Sequence, residues 1–245
     1  RGRPAQEAPR MDHKNLASVT DEAQSGGVRA AVLGINDGLV TNLALILGVA
    51  GGSSNAAELV KLAGLASLVA GACSMAVGEY VSMKAQVQLL ERILRSVRRA
   101  FADPSERTAA AKIAFVREGL SESVASEAAR DLCNDENACV QLYSRAVLGI
   151  NPGELGSPWV ATFASLVTFA LGACVPLVPW FFFAPHTATT ISIAVSLACA
   201  FAIGAMLGYY TDRRILRGGL RQLFVIVLAA GVTYGSGLLF HVAVH

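Results

Sequence analysis

The chain has 245 residues, 53% of them hydrophobic and only 16% charged, with a mean hydropathy of +0.50 and a net charge of +2. A soluble domain carries about 25% charged residues, so this composition argues against an ordinary soluble enzyme and against disorder. A charge so close to zero argues against a nucleic-acid partner.

In chain order, residues 1–27 read as a polar tail, and no apolar stretch of the kind a secretory signal needs appears there. Five apolar segments follow, about Val28–Gly51, Ala57–Met83, Pro158–Phe182, Thr187–Tyr210 and Leu220–Val244. Each can cross roughly 30 Å of hydrocarbon at about 1.5 Å per residue. Residues 155–211 form a run of 57 without Asp, Glu, Lys or Arg, and residues 222–245 another of 24. Turn signals separate the segments: Gly51 to Asn55, Ala184 to Thr187, and Asp212 to Gly219. The predicted fold class is therefore all-α: a polytopic membrane protein with five transmembrane helices, 28–83 holding the first two and 158–245 the last three. Trp159, Trp180, Tyr209 and Tyr210 are expected as interfacial anchors.

Residues 84–157 are different. Gln86 to Phe101 extends the second span as a helix with no breaker. Asp103-Pro104 opens a further helix that stops at Gly119, Ser121 caps another, and a last one covers about Glu136–Leu148. These amphipathic stretches are too polar to span, and the prediction is a small helical insert between spans 2 and 3. Of the 20 Lys and Arg, all but Lys61 fall in the tail, the insert or the loop between spans 4 and 5, or, as Arg29 and Arg221 do, within the first two residues of a span on that same side. The positive-inside rule places those three in the cytoplasm.

Cys73, Cys174 and Cys199 lie in apolar runs and read as small buried residues. Cys133 and Cys139 are six apart, not a usual zinc spacing, and the four His are scattered at segment ends. No nucleotide-binding glycine loop or catalytic triad appears. Neither enzymatic catalysis nor a fixed cofactor is expected.

The informative charges lie in the first two spans. Asp37 is eight residues past Arg29, or roughly 12 Å into the membrane. Glu79 lies near the end of span 2, one turn after Met75 on the same helix face. A carboxylate near the bilayer centre costs about 2.5–3.5 kcal/mol on insertion scales, and such a group usually faces a pathway or a partner. Two carboxylates and a thioether suit a borderline transition-metal ion, with Asn36 and Asn42 adding oxygen ligands or hydrogen bonds. The structural alternatives are that Asp37 bonds backbone amides at a break formed by Gly34 and Gly38, and that Glu79 pairs with Lys84.

The residues themselves resemble a known family. Arg29-Ala-Ala-Val-Leu-Gly-Ile-Asn-Asp-Gly-Leu-Val-Thr-Asn-Leu43 and Gly71-Ala-Cys-Ser-Met-Ala-Val-Gly-Glu-Tyr-Val-Ser82 are similar to the first two helices of the vacuolar iron transporter family. Glu154 to Trp159 and Gly172 to Pro179 resemble the start and middle of its third. The resemblance implies a five-helix homodimer in membrane lipid, with a pathway at the dimer interface that carries Fe2+, and often Mn2+, out of the cytoplasm in exchange for protons. It associates Asp37, Met75 and Glu79 with that pathway. The host membrane would be the cytoplasmic membrane of a bacterium or the vacuolar membrane of a eukaryote.

The insert departs from that pattern. Where the family has glutamate-rich arms, this chain reads Arg92-Ile-Leu-Arg-Ser-Val-Arg-Arg99, and across residues 84–157 ten acids balance ten bases. Glu91, Glu118, Glu122 and Glu127 remain as possible cytoplasmic metal ligands, with Asp131 and Asp135 one turn apart on a face. Weak metal gathering by the insert is expected. Two competing readings stay open: a non-transporting scaffold whose basic arm touches anionic lipid, and a transporter of the same fold with a changed substrate.

Overall fold

A computed structural model of the chain describes residues 26–52, 56–153, 155–210 and 214–244, all helix and connecting turn with no strand among them. The helices are α1 (Gly27–Gly52), α2 (Ala56–Ala100), α3 (Pro104–Arg117), α4 (Glu122–Leu132), α5 (Glu136–Ala146), α6 (Pro158–Leu177), α7 (Pro185–Tyr210) and α8 (Ile215–Val244), with a 3-10 turn at Val178–Phe181 after α6. Five of them, α1, α2, α6, α7 and α8, are long and apolar enough to cross a membrane. The fold class expected from the sequence holds. The tail, the turn at 53–55, Glu154 and the loop residues Asp212 and Arg213 lie outside the described residues.

The chain divides into two compact units, Val81–Ser157 and a unit made of Gly26–Tyr80 with the chain from Pro158 onward. In the larger unit the helices meet through glycine. A methyl group on Gly34 would overlap the Thr168 hydroxyl, one on Gly38 the Phe169 carbonyl, and one on Gly172 the Ile35 carbonyl. Thus α1 and α6 cross backbone to backbone, as small residues at four-residue spacing permit. Gly204 and Gly218 do the same for α7 and α8. Gly71 seats the Phe169 ring and Gly64 the Leu177 side chain, which ties α2 to α6. Gly231 and Gly235, at the same spacing, meet nothing within 4 Å.

Four expectations are corrected. The last span begins at Ile215 rather than about Leu220: Gly218 and Gly219 look like a turn in isolation, yet they lie inside α8, where Gly218 meets Gly204 and Gly219 meets the Phe201 ring. Trp180 is no interfacial anchor; it is 2% exposed and packs with Ile46, Val60, Leu177 and Ala188. Cys73 is exposed, so it does not share the burial expected of it. Asp131 belongs to α4 whereas Asp135 caps α5, so no single helix face carries both.

The insert is built as a small soluble domain is. Asp103 caps α3, accepting from the backbone N–H and the hydroxyl of Ser105 at 2.8 and 2.7 Å. Those bonds favour the ionised form and hold its carboxyl below the usual value of 3.8. Gly119 ends the helix at φ +98, a conformation costly for any residue with a Cβ. The core holds Phe101, Ala111, Ala129, Cys133, Cys139 and Val140, with Tyr143 packed edge-on to Phe101 at 5.2 Å. Both buried thiols donate to the Arg107 carbonyl, at 3.6 and 3.5 Å. Burial, with the neighbouring Cys133 thiol, pushes the Cys139 thiol up to about 12.

Candidate functional site

The membrane carboxylates lie on α1 and α2. Because α1 runs unbroken from Gly27 to Gly52, there is no helix break at Gly34 and Gly38 for Asp37 to cap; those glycines serve the contact with α6 instead. Asp37 is half-buried and accepts a hydrogen bond from the Thr41 hydroxyl, one turn along its own helix, at 3.0 Å. That partner is a neutral donor, which leaves the carboxylate's charge uncompensated by the bond.

Glu79 is the more enclosed acid. Its side chain is 10% exposed and meets the Arg29 guanidinium of α1 at 3.0 Å. The residue it pairs with is therefore Arg29, on another helix, and not Lys84 on its own. Arg29 is 61% exposed, so the cation that neutralises Glu79 sits at the rim while the acid sits inside. One turn earlier, Met75 packs beside Ala72, Phe169 and Ala173. Ala72, Ala76 and Met83, on the same side of α2 as Glu79, are buried, whereas Val77 and Val81, about 160° round the helix from it, are exposed.

The two asparagines act between helices. Asn42 is fully buried, and its side-chain N–H donates to the Ala173 carbonyl of α6 at 2.7 Å. Its Oδ1 has no hydrogen-bond partner among the described residues. Asn36 accepts from the Gln222 amide of α8. Sequence reasoning did not single out Arg29, Thr41 or Gln222 for the site. Gln222 was findable as an amide in an apolar helix, where an unpaired amide is costly.

Between α1 and α8 lies an open crevice of about 540 Å³, lined by Thr41, Leu45, Thr233 and Ser236 among others. Thr233 and Ser236 hydrogen-bond to carbonyls of their own helix, so the crevice is chiefly apolar.

The insert's acids are disposed differently. Glu91, Glu118, Glu122 and Glu127 are all exposed. Glu118 ends α3, and Glu122 pairs with Lys112 at 3.3 Å. Among the described residues of the whole chain, no three or more His, Cys, Asp or Glu side chains are grouped to hold a metal ion.

Comparison with known proteins adds to this geometry. The model of a family described as the VIT family matches residues 28–238. The chain is 33% identical to vacuolar iron transporter homolog 1 of Oryza sativa subsp. japonica, over 89% of this chain and 75% of that protein. It is 31% identical to the vacuolar iron transporter of Acanthamoeba castellanii, over 94% and 84%. It is 26% identical to vacuolar iron transporter 1 of Arabidopsis thaliana, over 84% and 83%.

Proposed function

This chain belongs to the VIT family, a family of membrane transporters and not of enzymes, and from that premise we propose that it carries Fe2+, with Mn2+ as a second cargo, out of the cytoplasm in exchange for protons. Asp37, Met75 and Glu79 hold the ion, while Asn36 and Asn42 keep α1 in place beside its neighbours. The observation that carries this reading is Glu79: a carboxylate 10% exposed in a membrane-spanning helix, one turn after a methionine, with a guanidinium at 3.0 Å. Burying such a group is costly, and a purely structural helix has no use for that cost.

The chemistry follows from the groups present. A carboxylate binds either a divalent ion or a proton, so the two compete for one site, and that competition is the simplest basis for exchange. Arg29 holds Glu79 when no ion is bound. An arriving divalent ion offers more charge to the same oxygens, and Arg29, being at the rim, can turn out to solvent. The thioether of Met75 adds a soft ligand that favours Fe2+ over Mg2+ or Ca2+.

One chain contributes two membrane carboxylates, fewer than such an ion usually takes as ligands. A second copy supplies the rest, which makes the working form a homodimer with the pathway between the copies. The charge distribution orients it with the insert, the tail and the loop between α7 and α8 in the cytoplasm. The membrane is the cytoplasmic one in a bacterial host and the vacuolar one in a eukaryotic host.

The test is Fe2+ uptake into proteoliposomes with an imposed pH gradient. Uptake should follow the gradient and stop when an ionophore collapses it. Folded protein that takes up neither Fe2+ nor Mn2+ would overturn the proposal.

A further inference from the structure

Among the buried polar side chains of the membrane unit, Gln222 is the one that carries an amide on α8. It is 8% exposed and lies seven residues into α8, at the start of a stretch with no charged residue. Its amide donates to the Asn36 side-chain carbonyl of α1. An unpaired amide in hydrocarbon is costly, so this bond is what makes both residues tolerable there. The Gln222 stem is also fixed: a Cβ on Gly204 of α7 would lie 2.8 Å from the Cβ of Gln222. The amide therefore projects from a locked base.

Asn36 immediately precedes Asp37. On α1, Asn36 is tied to α8 and Asn42 to the Ala173 carbonyl of α6, with Asp37 between the two ties. The glycine contacts at Gly34 and Gly38 set how closely α1 approaches α6 and which side it turns to it, but they carry no directional bond against small rotations about the helix axis. Hydrogen bonds to two different helices supply that directional restraint. Asp37 itself is bonded to Thr41 on its own helix, so its direction is set by α1's rotation.

We propose that Gln222 is a positioning residue for the ion pathway: through Asn36 it fixes the rotation of α1 and so aims the Asp37 carboxylate. The inference rests on the reading above that Asp37 holds the transported ion. It places on α8 a support that acts on the site through α1 without touching the ion.

The experiment measures KM and maximal rate of Fe2+ uptake by full-length protein in proteoliposomes, across a series of external pH values. Gln222→Met, which keeps the length and apolar volume but removes the amide, should raise KM about fivefold, the scale of one interhelical hydrogen bond in a membrane, and displace the pH profile. Gln222→Asn keeps an amide too short to reach and carries the same expectation, so the test survives if the methionine variant does not insert. Exchanging the pair, Asn36→Gln with Gln222→Asn, should return KM to within about twofold of wild type, because both amides and their combined reach are restored. If the Gln222 variants keep wild-type KM and pH profile, or lose rate only in proportion to inserted protein, while Asp37→Ala is inactive, the inference is overturned and the transport reading stands. Wild-type protein that moves no ion overturns both.

Discussion

Two ion pairs of similar length sit in very different surroundings. In the membrane unit, Glu79 meets Arg29 at 3.0 Å and is 10% exposed; in the insert, Glu122 meets Lys112 at 3.3 Å and is 80% exposed. The exposed pair is solvated and screened, and such pairs contribute about 0–1 kcal/mol. The enclosed one has lost most of its water, so its carboxylate depends strongly on whatever cation is beside it. Distance alone therefore says little about which acid can choose between a metal ion and a proton. The same contrast holds between particular glycines: Gly38 and Gly172 in the membrane unit make room for a neighbouring backbone, whereas in the insert Gly119 supplies a φ of +98 with nothing within 4 Å.

The largest expected effect tests that second contrast. Gly38→Leu would drive a side chain into the Phe169 backbone carbonyl, which cannot move without displacing α6. Folded protein should be lost, as judged by monodispersity after detergent extraction. Gly119→Ala should cost only about 1–2 kcal/mol for the left-handed backbone, seen as a modest fall in melting temperature. Equal damage from both would break the comparison.

A smaller effect is expected from Glu79→Gln, which keeps the shape and a hydrogen-bond acceptor but removes the charge. Uptake should fall about tenfold or more, as when a charged ligand is neutralised in an enclosed site, with folded yield preserved. Wild-type uptake in this variant would place Glu79 among purely structural residues.

The smallest effect concerns pH. The Cys139 thiol is held near 12 in the folded insert, above its ordinary value of 9.0, so the folded state favours the neutral thiol. That contribution to stability is complete below about 9 and is lost as pH rises from there through about 12. Protease resistance of the insert should fall over that window, and replacing Cys133 and Cys139 by Ala should flatten the dependence while lowering resistance at neutral pH. An unchanged slope in the variant would assign the alkaline loss to other groups.

What was legible in the sequence follows the range of the interactions. The five spans come from long apolar runs, and the extension of α2 beyond the apolar stretch from the lack of any breaker, both local signals. Asp37, Met75 and Glu79 stood out because acids are expensive in an apolar segment and because residues four apart share a helix face. Their partners were not legible. Arg29 meets Glu79 across 50 residues of sequence and Gln222 meets Asn36 across 186; nothing local marks either pair. The early start of α8 was missed for the same reason, since Gly218 and Gly219 have the composition of a turn and the role of a helix contact. Trp180, placed at the membrane interface by its position, is buried by contacts from α1, α2 and α7.

The central claim is that ion selection resides in the membrane carboxylates and not in the insert's acids. One measurement sets the two against each other: gradient-driven Fe2+ uptake into proteoliposomes by Asp37→Ala beside the quadruple variant Glu91→Gln, Glu118→Gln, Glu122→Gln and Glu127→Gln. Uptake abolished in the first and changed by less than about twofold in the second, as expected of exposed charges, is the predicted result. Uptake retained by Asp37→Ala and lost in the quadruple variant would contradict the account.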